Sequence, residues 1–190
     1  SVLNAHYTSK EVIGGIYAAL ERFGVKGNNR ILEPAMGTGN FFGYMPQEIL
    51  SGAKLYGVEL DEVTGKIAAK LYPQAKVQVK GFEETSFPQD YFDIVVGNVP
   101  FGGYGVYDSE YSRQKFMIHD YFIAKSIDRV KPNGIVAVVT SKGTLDKLNP
   151  TARKYMAERA ELLGAIRLPN NAFKQTANTE AVTDILFFQK

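Results

Sequence analysis

Short apolar runs along the chain predict buried strands. They occupy residues 30–33, 54–59, 92–97, 135–139, 162–168 and 182–188. Residues 75–80 alternate apolar with polar side chains, which indicates a half-exposed strand at a sheet edge. Because the run 135–139 is apolar throughout, it suits a strand buried on both faces of a covered parallel sheet. The last run predicts an antiparallel closing strand.

Helix-period spacing separates these runs. It is present in residues 9–23, in a segment ending at Leu71, in 119–130 and in 150–160, and a short helix is expected after Asn40. The first helix should begin near Ser9, since Thr8 and Glu11 have capping-box spacing. The alternation predicts an α/β fold, doubly wound and mostly parallel, in one domain that spans residues 1–190.

Composition removes several classes of chemistry. The chain has 190 residues, a hydrophobic share of 45% and a net charge of +2, so composition alone gives no nucleic-acid signal. It has no cysteine and two histidines, which excludes disulfides and thiolate catalysis, and no carboxylate cluster predicts a metal site. No segment has the pattern of a signal peptide or membrane span, so a cytoplasmic location is expected. Because it starts at Ser1 without methionine, we expect a piece of a longer protein.

A glycine turn between a strand and a helix is the first candidate binding feature. Gly37 and Gly39 follow the strand that ends at Glu33, and the next helix starts after Asn40. Gly43 is one position too late for the Gly-x-Gly-x-x-Gly fingerprint of dinucleotide sites. The acidic Glu33 fits a ligand ammonium better than a phosphate.

Five further residues are candidates for ligand binding, and some of them also have a structural interpretation. Glu59 ends the second strand about twenty residues beyond the turn, where an acid often holds ribose hydroxyls, although it could be a surface glutamate. Phe82 could stack on a purine or belong to the core, and Glu83 could accept from an exocyclic amine. Tyr7 and Thr8 precede a helix, where free N–H groups attract a carboxylate.

The strand at 92–97 ends in Asn98, Val99, Pro100 and Phe101, which places polar and aromatic groups on the sheet rim. We expect this segment to hold a planar group that bears an amine. Residues 102–115 follow with glycines, three tyrosines, Arg113 and Lys115 and have no regular period. They suit either a mobile loop that contacts nucleic acid or a flexible connection only.

Four segments, taken in their order along the chain, resemble motifs of N6-adenine DNA methyltransferases of the gamma group, in particular type I modification subunits. Residues 32–41 (LEPAMGTGNF) resemble their cofactor motif, and residues 98–101 (NVPF) their Asn-Pro-Pro-(Tyr/Phe) catalytic motif. Residues 6–9 (HYTS) are similar to the segment before their first helix. The end of the chain, 172–188, is similar to their late motif.

The resemblance implies a seven-stranded sheet, as in the Rossmann-like fold of methyltransferases that use S-adenosylmethionine (SAM). It implies that Tyr7 and Thr8 meet the methionine carboxylate, Glu33 its ammonium, and Glu59 the ribose. The rest of the implied cofactor site is Pro34, Gly37, Gly39, Asn40, Phe41, Leu60, Phe82 and Glu83.

On the substrate side, the resemblance implies that Asn98, Val99, Pro100 and Phe101 hold an adenine flipped out of DNA. DNA would also contact loop 102–115, and a target-recognition domain, a specificity subunit or a helicase lying outside this segment would be a partner. No metal is implied.

Val99 departs from this pattern, because the family usually has proline there. A valine frees φ and adds an N–H, so we expect its carbonyl to be held less rigidly.

Other functions stay open at this level. A protein glutamine methyltransferase binds a side-chain amide with a similar motif. An RNA adenine methyltransferase would need the same chemistry. A non-catalytic SAM- or DNA-binding module is compatible with Val99. A nicotinamide dehydrogenase is disfavoured by the misplaced glycine.

Overall fold

A single seven-stranded sheet organises the computed structural model, which describes residues 8–169 and 182–190. The strands are β1 (Arg30–Glu33), β2 (Lys54–Glu59), β3 (Lys76–Val79), β4 (Phe92–Asn98), β5 (Val130–Ser141), β6 (Glu161–Arg167) and β7 (Thr183–Gln189). Their order across the sheet is β3-β2-β1-β4-β5-β7-β6. Neighbours from β3 to β5 are parallel, whereas β7 is antiparallel to β5 and β6. The predicted fold class is confirmed, including the edge position of β3.

Helices cover both faces of this sheet. They are α1 (Lys10–Arg22), α2 (Asn40–Gly43), α3 (Gln47–Leu50), α4 (Glu62–Leu71), α5 (Ile118–Arg129), α6 (Gly143–Asp146) and α7 (Thr151–Ala157). Successive strand side chains point to opposite faces, so Ile31 packs with α1 and Leu32 packs with α5. Among the helices in the described part of the chain, none has the length and apolar character needed to cross a membrane.

The start of α1 corrects one local prediction. Ser9 is the N-cap, and its hydroxyl accepts a hydrogen bond from the Val12 N–H at 3.3 Å. Thr8 is therefore not the capping residue, although the helix begins where the spacing predicted. The Thr8 side chain is instead available to the sheet rim.

The strand order changes direction between β1 and β4, because β2 and β3 lie on one side of this pair and β5 on the other. In open α/β sheets the crevice at such a switch point, beyond the carboxyl ends of the strands, is the usual ligand site. Glu33 is the last residue of β1 and Asn98 the last of β4. The topology thus brings together two groups that lie far apart in the sequence.

The connection from β4 to α5 contains the predicted irregular loop. Its second half is fixed to α5 by three buried or partly buried contacts, namely Asp108 with Lys125, Glu110 with Arg129, and Tyr111 with Asp128. A short 3-10 turn also forms at Ser112–Gln114. The mobile loop expected from the sequence is thus anchored over this half.

Candidate active site

A cavity of about 550 Å³ lies at the carboxyl ends of β1, β2 and β4. Most residues singled out in the sequence line it: Thr8, Glu33, Pro34, Gly37, Asn40, Phe41, Glu59, Leu60, Phe82, Glu83, Asn98, Val99 and Pro100. Most of the residues expected to bind a cofactor, together with residues 98–100, therefore lie around one cavity.

Two predicted site residues that the structure describes, Gly39 and Phe101, are not in this lining. Gly39 adopts a left-handed φ of 90° in the turn before α2, and an added Cβ would collide with the Tyr72 ring. Its role is thus in the turn and in packing rather than on the cavity surface. Phe101 is half-buried beyond the lining residues. Tyr7 lies outside the described residues.

The structure also adds lining residues that sequence reasoning missed. Asp61 lines the cavity and caps α4, since its carboxylate accepts from the Thr64 N–H at 2.8 Å. Ile118 and Phe122 on α5 form part of the wall, and so do Tyr104 and Val106 in the loop. Phe122 belongs to the predicted helix 119–130, and Tyr104 and Val106 belong to the predicted irregular loop 102–115. Only the tertiary packing brings them to the cavity.

Glu59 is held in place by the glycine turn. One of its carboxylate oxygens accepts the Gly37 N–H at 2.8 Å, and the other accepts the Asp61 N–H at 2.9 Å. Gly37 has a left-handed φ of 55°, which a glycine adopts without strain. Each carboxylate oxygen can accept more than one hydrogen bond, so Glu59 can still bind ligand hydroxyls.

Glu33 is a buried acid whose exposed fraction is 2%. Burial, and then the nearby charge of Glu59, raise its pKa well above the usual value. Its Oε2 atom is buried without a hydrogen-bond partner among the described residues. Because an unpaired buried polar atom is costly, this oxygen suits a ligand that brings an ammonium or another N–H donor.

The charges around the cavity are mostly negative. Five lining residues are acidic and one is basic: Glu33, Glu59, Asp61, Glu62 and Glu83 against Lys80. Such a surface attracts a cationic ligand and repels a pyrophosphate. This agrees with the choice of an ammonium over a phosphate made from the sequence.

Phe82 is a wall of the cavity rather than an open stacking surface. Its side chain is 1% exposed and packs against Phe122 with ring centroids 5.0 Å apart. Of its two sequence-based interpretations, the core position is confirmed.

Asn98 connects the end of β4 to the segment before α1. Its Nδ2 donates a hydrogen bond to Thr8 Oγ1 at 3.0 Å, and Thr8 is itself buried. Thr8 and the end of β4 therefore meet at the rim.

Sequence comparison agrees with this arrangement of motifs. The sequence model of the N-6 DNA Methylase family matches residues 4–190. The chain belongs to this family. The family resemblance read from the motifs is thus confirmed.

Relatives of this N-6 DNA methylase domain are longer proteins. The chain is 33% identical over 194 residues to Defense against restriction protein B of Escherichia phage P1 and covers 99% of itself but 8% of that protein. It is 28% identical over 138 residues to the modification methylase CviBIII of Paramecium bursaria Chlorella virus NC1A, covering 70% of itself and 36% of that enzyme. The chain thus spans a minor part of both relatives.

Solved structures support the fold. A Listeria monocytogenes structure assigned to the class I SAM-dependent methyltransferases aligns with a TM-score of 0.80 at 20% identity. The alignment covers 99% of this chain and 62% of that one. The fold of the N-6 DNA methylase domain is therefore that of class I methyltransferases.

Val99, where the sequence departs from the family pattern, is accommodated by the sheet. Its N–H, which a proline would lack, donates to the Val139 carbonyl at 3.0 Å and extends the pairing of β4 with β5. Its side chain is 1% exposed. The looser hold expected from the sequence is therefore offset by a hydrogen bond between strands.

Restoring proline at this position should destabilise the domain. We expect Val99→Pro to lower the free energy of unfolding by about 1–3 kcal/mol relative to Val99→Ala, because the Val139 carbonyl loses its donor. Urea unfolding of both variants measures the difference. The alanine control keeps the N–H, so equal stabilities would show that the bond contributes nothing.

Proposed function

We propose that this domain transfers a methyl group from SAM to the N6 amine of adenine in DNA. The observation that carries the proposal is the meeting of Asn98 and the buried, unsatisfied Glu33 in one acidic cavity. A cationic cofactor fits the acids, and the rim beside them holds the amide and backbone acceptors that an adenine amine needs.

The cavity residues suit the parts of SAM. Glu33 would bind the ammonium, Glu59 the ribose diol and Glu83 the adenine amine, while Thr8 lies where the carboxylate would come. The turn of Pro34, Gly37 and Asn40, with Phe41 and Leu60, would enclose the remainder. When bound, SAM supplies a methyl group made electrophilic by its sulfonium, whose positive charge the acidic lining favours.

The catalytic motif would activate the amine by position and polarity. The adenine N6 lone pair is delocalised into the ring, so the amine is a poor nucleophile. The Asn98 carbonyl and the Val99 backbone carbonyl would each accept one N6 hydrogen, which turns the lone pair towards the methyl group. The Thr8 hydroxyl holds the Asn98 amide in place, and Phe101 would stack on the flipped base.

The loop after β4 is the part of the chain best suited to contact DNA. Tyr107 is 78% exposed and Tyr104 is 55% exposed, and Arg113 and Lys115 are also exposed. Aromatic rings can stack on unpaired bases while the cations neutralise phosphates. Sequence specificity would then come from a target-recognition domain, a specificity subunit or a helicase elsewhere in a longer protein.

Two measurements test the proposal. Calorimetry of the 190-residue chain should show SAM binding, and its absence would contradict the cofactor assignment. Labelled SAM should then transfer methyl to DNA, and nucleoside analysis should find N6-methyladenine. Label in RNA or in glutamine of a protein substrate, with none in DNA, would favour the corresponding alternative.

A second candidate function follows from similarity to the phage P1 protein. That protein is named for defence against restriction, and this chain would match one small part of it. By analogy the domain would bind SAM or DNA within a larger protein without turnover. SAM binding with no methyl transfer, in a protein that contains the flanking segments, would support this second function.

A further inference from the structure

The ammonium of Lys125 is buried in the middle of α5, with an exposed side-chain fraction of 1%. It donates to the Phe82 carbonyl at 2.8 Å, to Asp108 Oδ2 at 2.9 Å and to the Tyr121 hydroxyl at 3.3 Å. An ammonium has three protons, so each has an acceptor.

Two of these acceptors, those of Phe82 and Asp108, belong to different segments that contribute residues to the cavity lining. Phe82 lies in the stretch 81–83, which lines the proposed adenine end of the cofactor site. Asp108 lies in the loop after the catalytic motif, and Tyr104 and Val106 of the same loop also line the cavity. Asp108 fixes its part of the loop as well, because its Oδ1 accepts the Glu110 N–H at 3.0 Å. The Lys125 ammonium thus joins the stretch 81–83 to the loop that contains Asp108.

Stability alone gives little reason for this buried pair. Burial lowers the pKa of Lys125. Burial would raise the pKa of Asp108, but hydrogen bonds from Lys125 and Tyr121 bring it below its usual value. Apolar residues of similar volume often replace buried ion pairs without loss of stability. The pair is better explained if it is needed to hold Phe82 and the loop in fixed positions.

We propose that Lys125 is a positioning residue that holds the wall at 81–83 against the loop, and so sets the shape of the cofactor site. The proposal rests on the proposed function for the identity of the cofactor. Lys125 does not line the cavity and would act through the Phe82 carbonyl.

The neighbouring ion pair on α5 provides a matched control. Arg129 is buried and bonds Glu110 at 2.6 Å, which anchors the same loop to the same helix one turn further on. Neither residue is among the described residues that line the cavity. Arg129→Met therefore removes a loop anchor and leaves the support of the cofactor wall intact.

The test compares SAM affinity in Lys125→Met and Arg129→Met by calorimetry on the 190-residue chain, well below their melting temperatures. Both variants should melt earlier than the original chain. Only Lys125→Met should bind SAM more weakly, by about fivefold to tenfold, which is the size of an ordinary hydrogen-bond contribution, because Lys125 acts on the cofactor indirectly through the Phe82 carbonyl. Amide exchange in residues 81–85 should also rise in Lys125→Met alone.

Equal SAM affinities in the two variants, or unchanged exchange in 81–85, would overturn the positioning role while leaving the proposed function standing. Failure of the original chain to bind SAM would overturn both. If Lys125→Met does not fold, Lys125→Met/Asp108→Asn removes both buried charges and keeps an acceptor for Tyr121. This double variant should show the same weakening, and SAM binding equal to that of the original chain would contradict the inference.

Discussion

Asn98→Ala is expected to lower the rate of methyl transfer to adenine by about 100-fold to 1000-fold, because it removes one of two acceptors that polarise the amine. SAM affinity should change little, since Asn98 lies at the substrate end of the cavity. Single-turnover transfer of labelled methyl to DNA measures the rate, and calorimetry measures the affinity.

Asn98→Asp is the matched control for this prediction. It keeps a side-chain oxygen as acceptor but loses the Nδ2 donor that bonds Thr8. Its rate should lie between those of the alanine variant and the original chain. An alanine variant with the original rate would refute the role of Asn98 as amine acceptor.

Glu33→Gln should have opposite effects on binding and on stability. SAM affinity should fall by about 10-fold to 100-fold, because a charge-assisted bond to the ammonium is lost. The free protein should become more stable near neutral pH. A carboxyl whose folded pKa is raised destabilises the fold as pH rises above its unfolded pKa, and glutamine cannot ionise.

Glu62→Gln is the control for Glu33→Gln. Glu62 also lines the cavity, but it is exposed, and within the described part of the chain its ion pair is with the exposed Lys66. The Glu62→Gln substitution replaces an exposed carboxylate rather than a buried one. SAM affinity and the free energy of unfolding should therefore both change little. Equal losses of affinity in the two variants would mean that the overall negative charge binds the cofactor rather than Glu33.

Local sequence signals predicted the fold well because they depend on near neighbours. The apolar runs that became β2 and β4 and the helix period of α5 needed no tertiary information. The glycine turn could also be predicted, because glycines after a strand end indicate a tight turn. Gly37 does adopt a left-handed φ there. The rim position of Glu33, Glu59 and Asn98 then followed from the geometry of parallel sheets.

The contacts that organise the site could not be predicted in this way. Thr8 and Asn98 are separated by 90 positions, and their hydrogen bond depends on how α1 packs on the sheet. The position of Gly39 against Tyr72 and the burial of Lys125 between two segments that contribute to the cavity lining likewise depend on distant parts of the chain. Residue type and spacing indicate which groups are present, whereas tertiary packing decides which of them meet.

The bond between Val99 and Val139 affects how members of this family can be found from sequence. A search that requires proline after the asparagine would reject this chain. Here the hydrogen bond between Val99 and Val139 fixes the backbone that a proline ring would otherwise restrain. A better criterion would accept any residue whose amide can continue the pairing of β4 with β5. Diversity at that position would then reflect two ways of fixing the same peptide, of which proline is one.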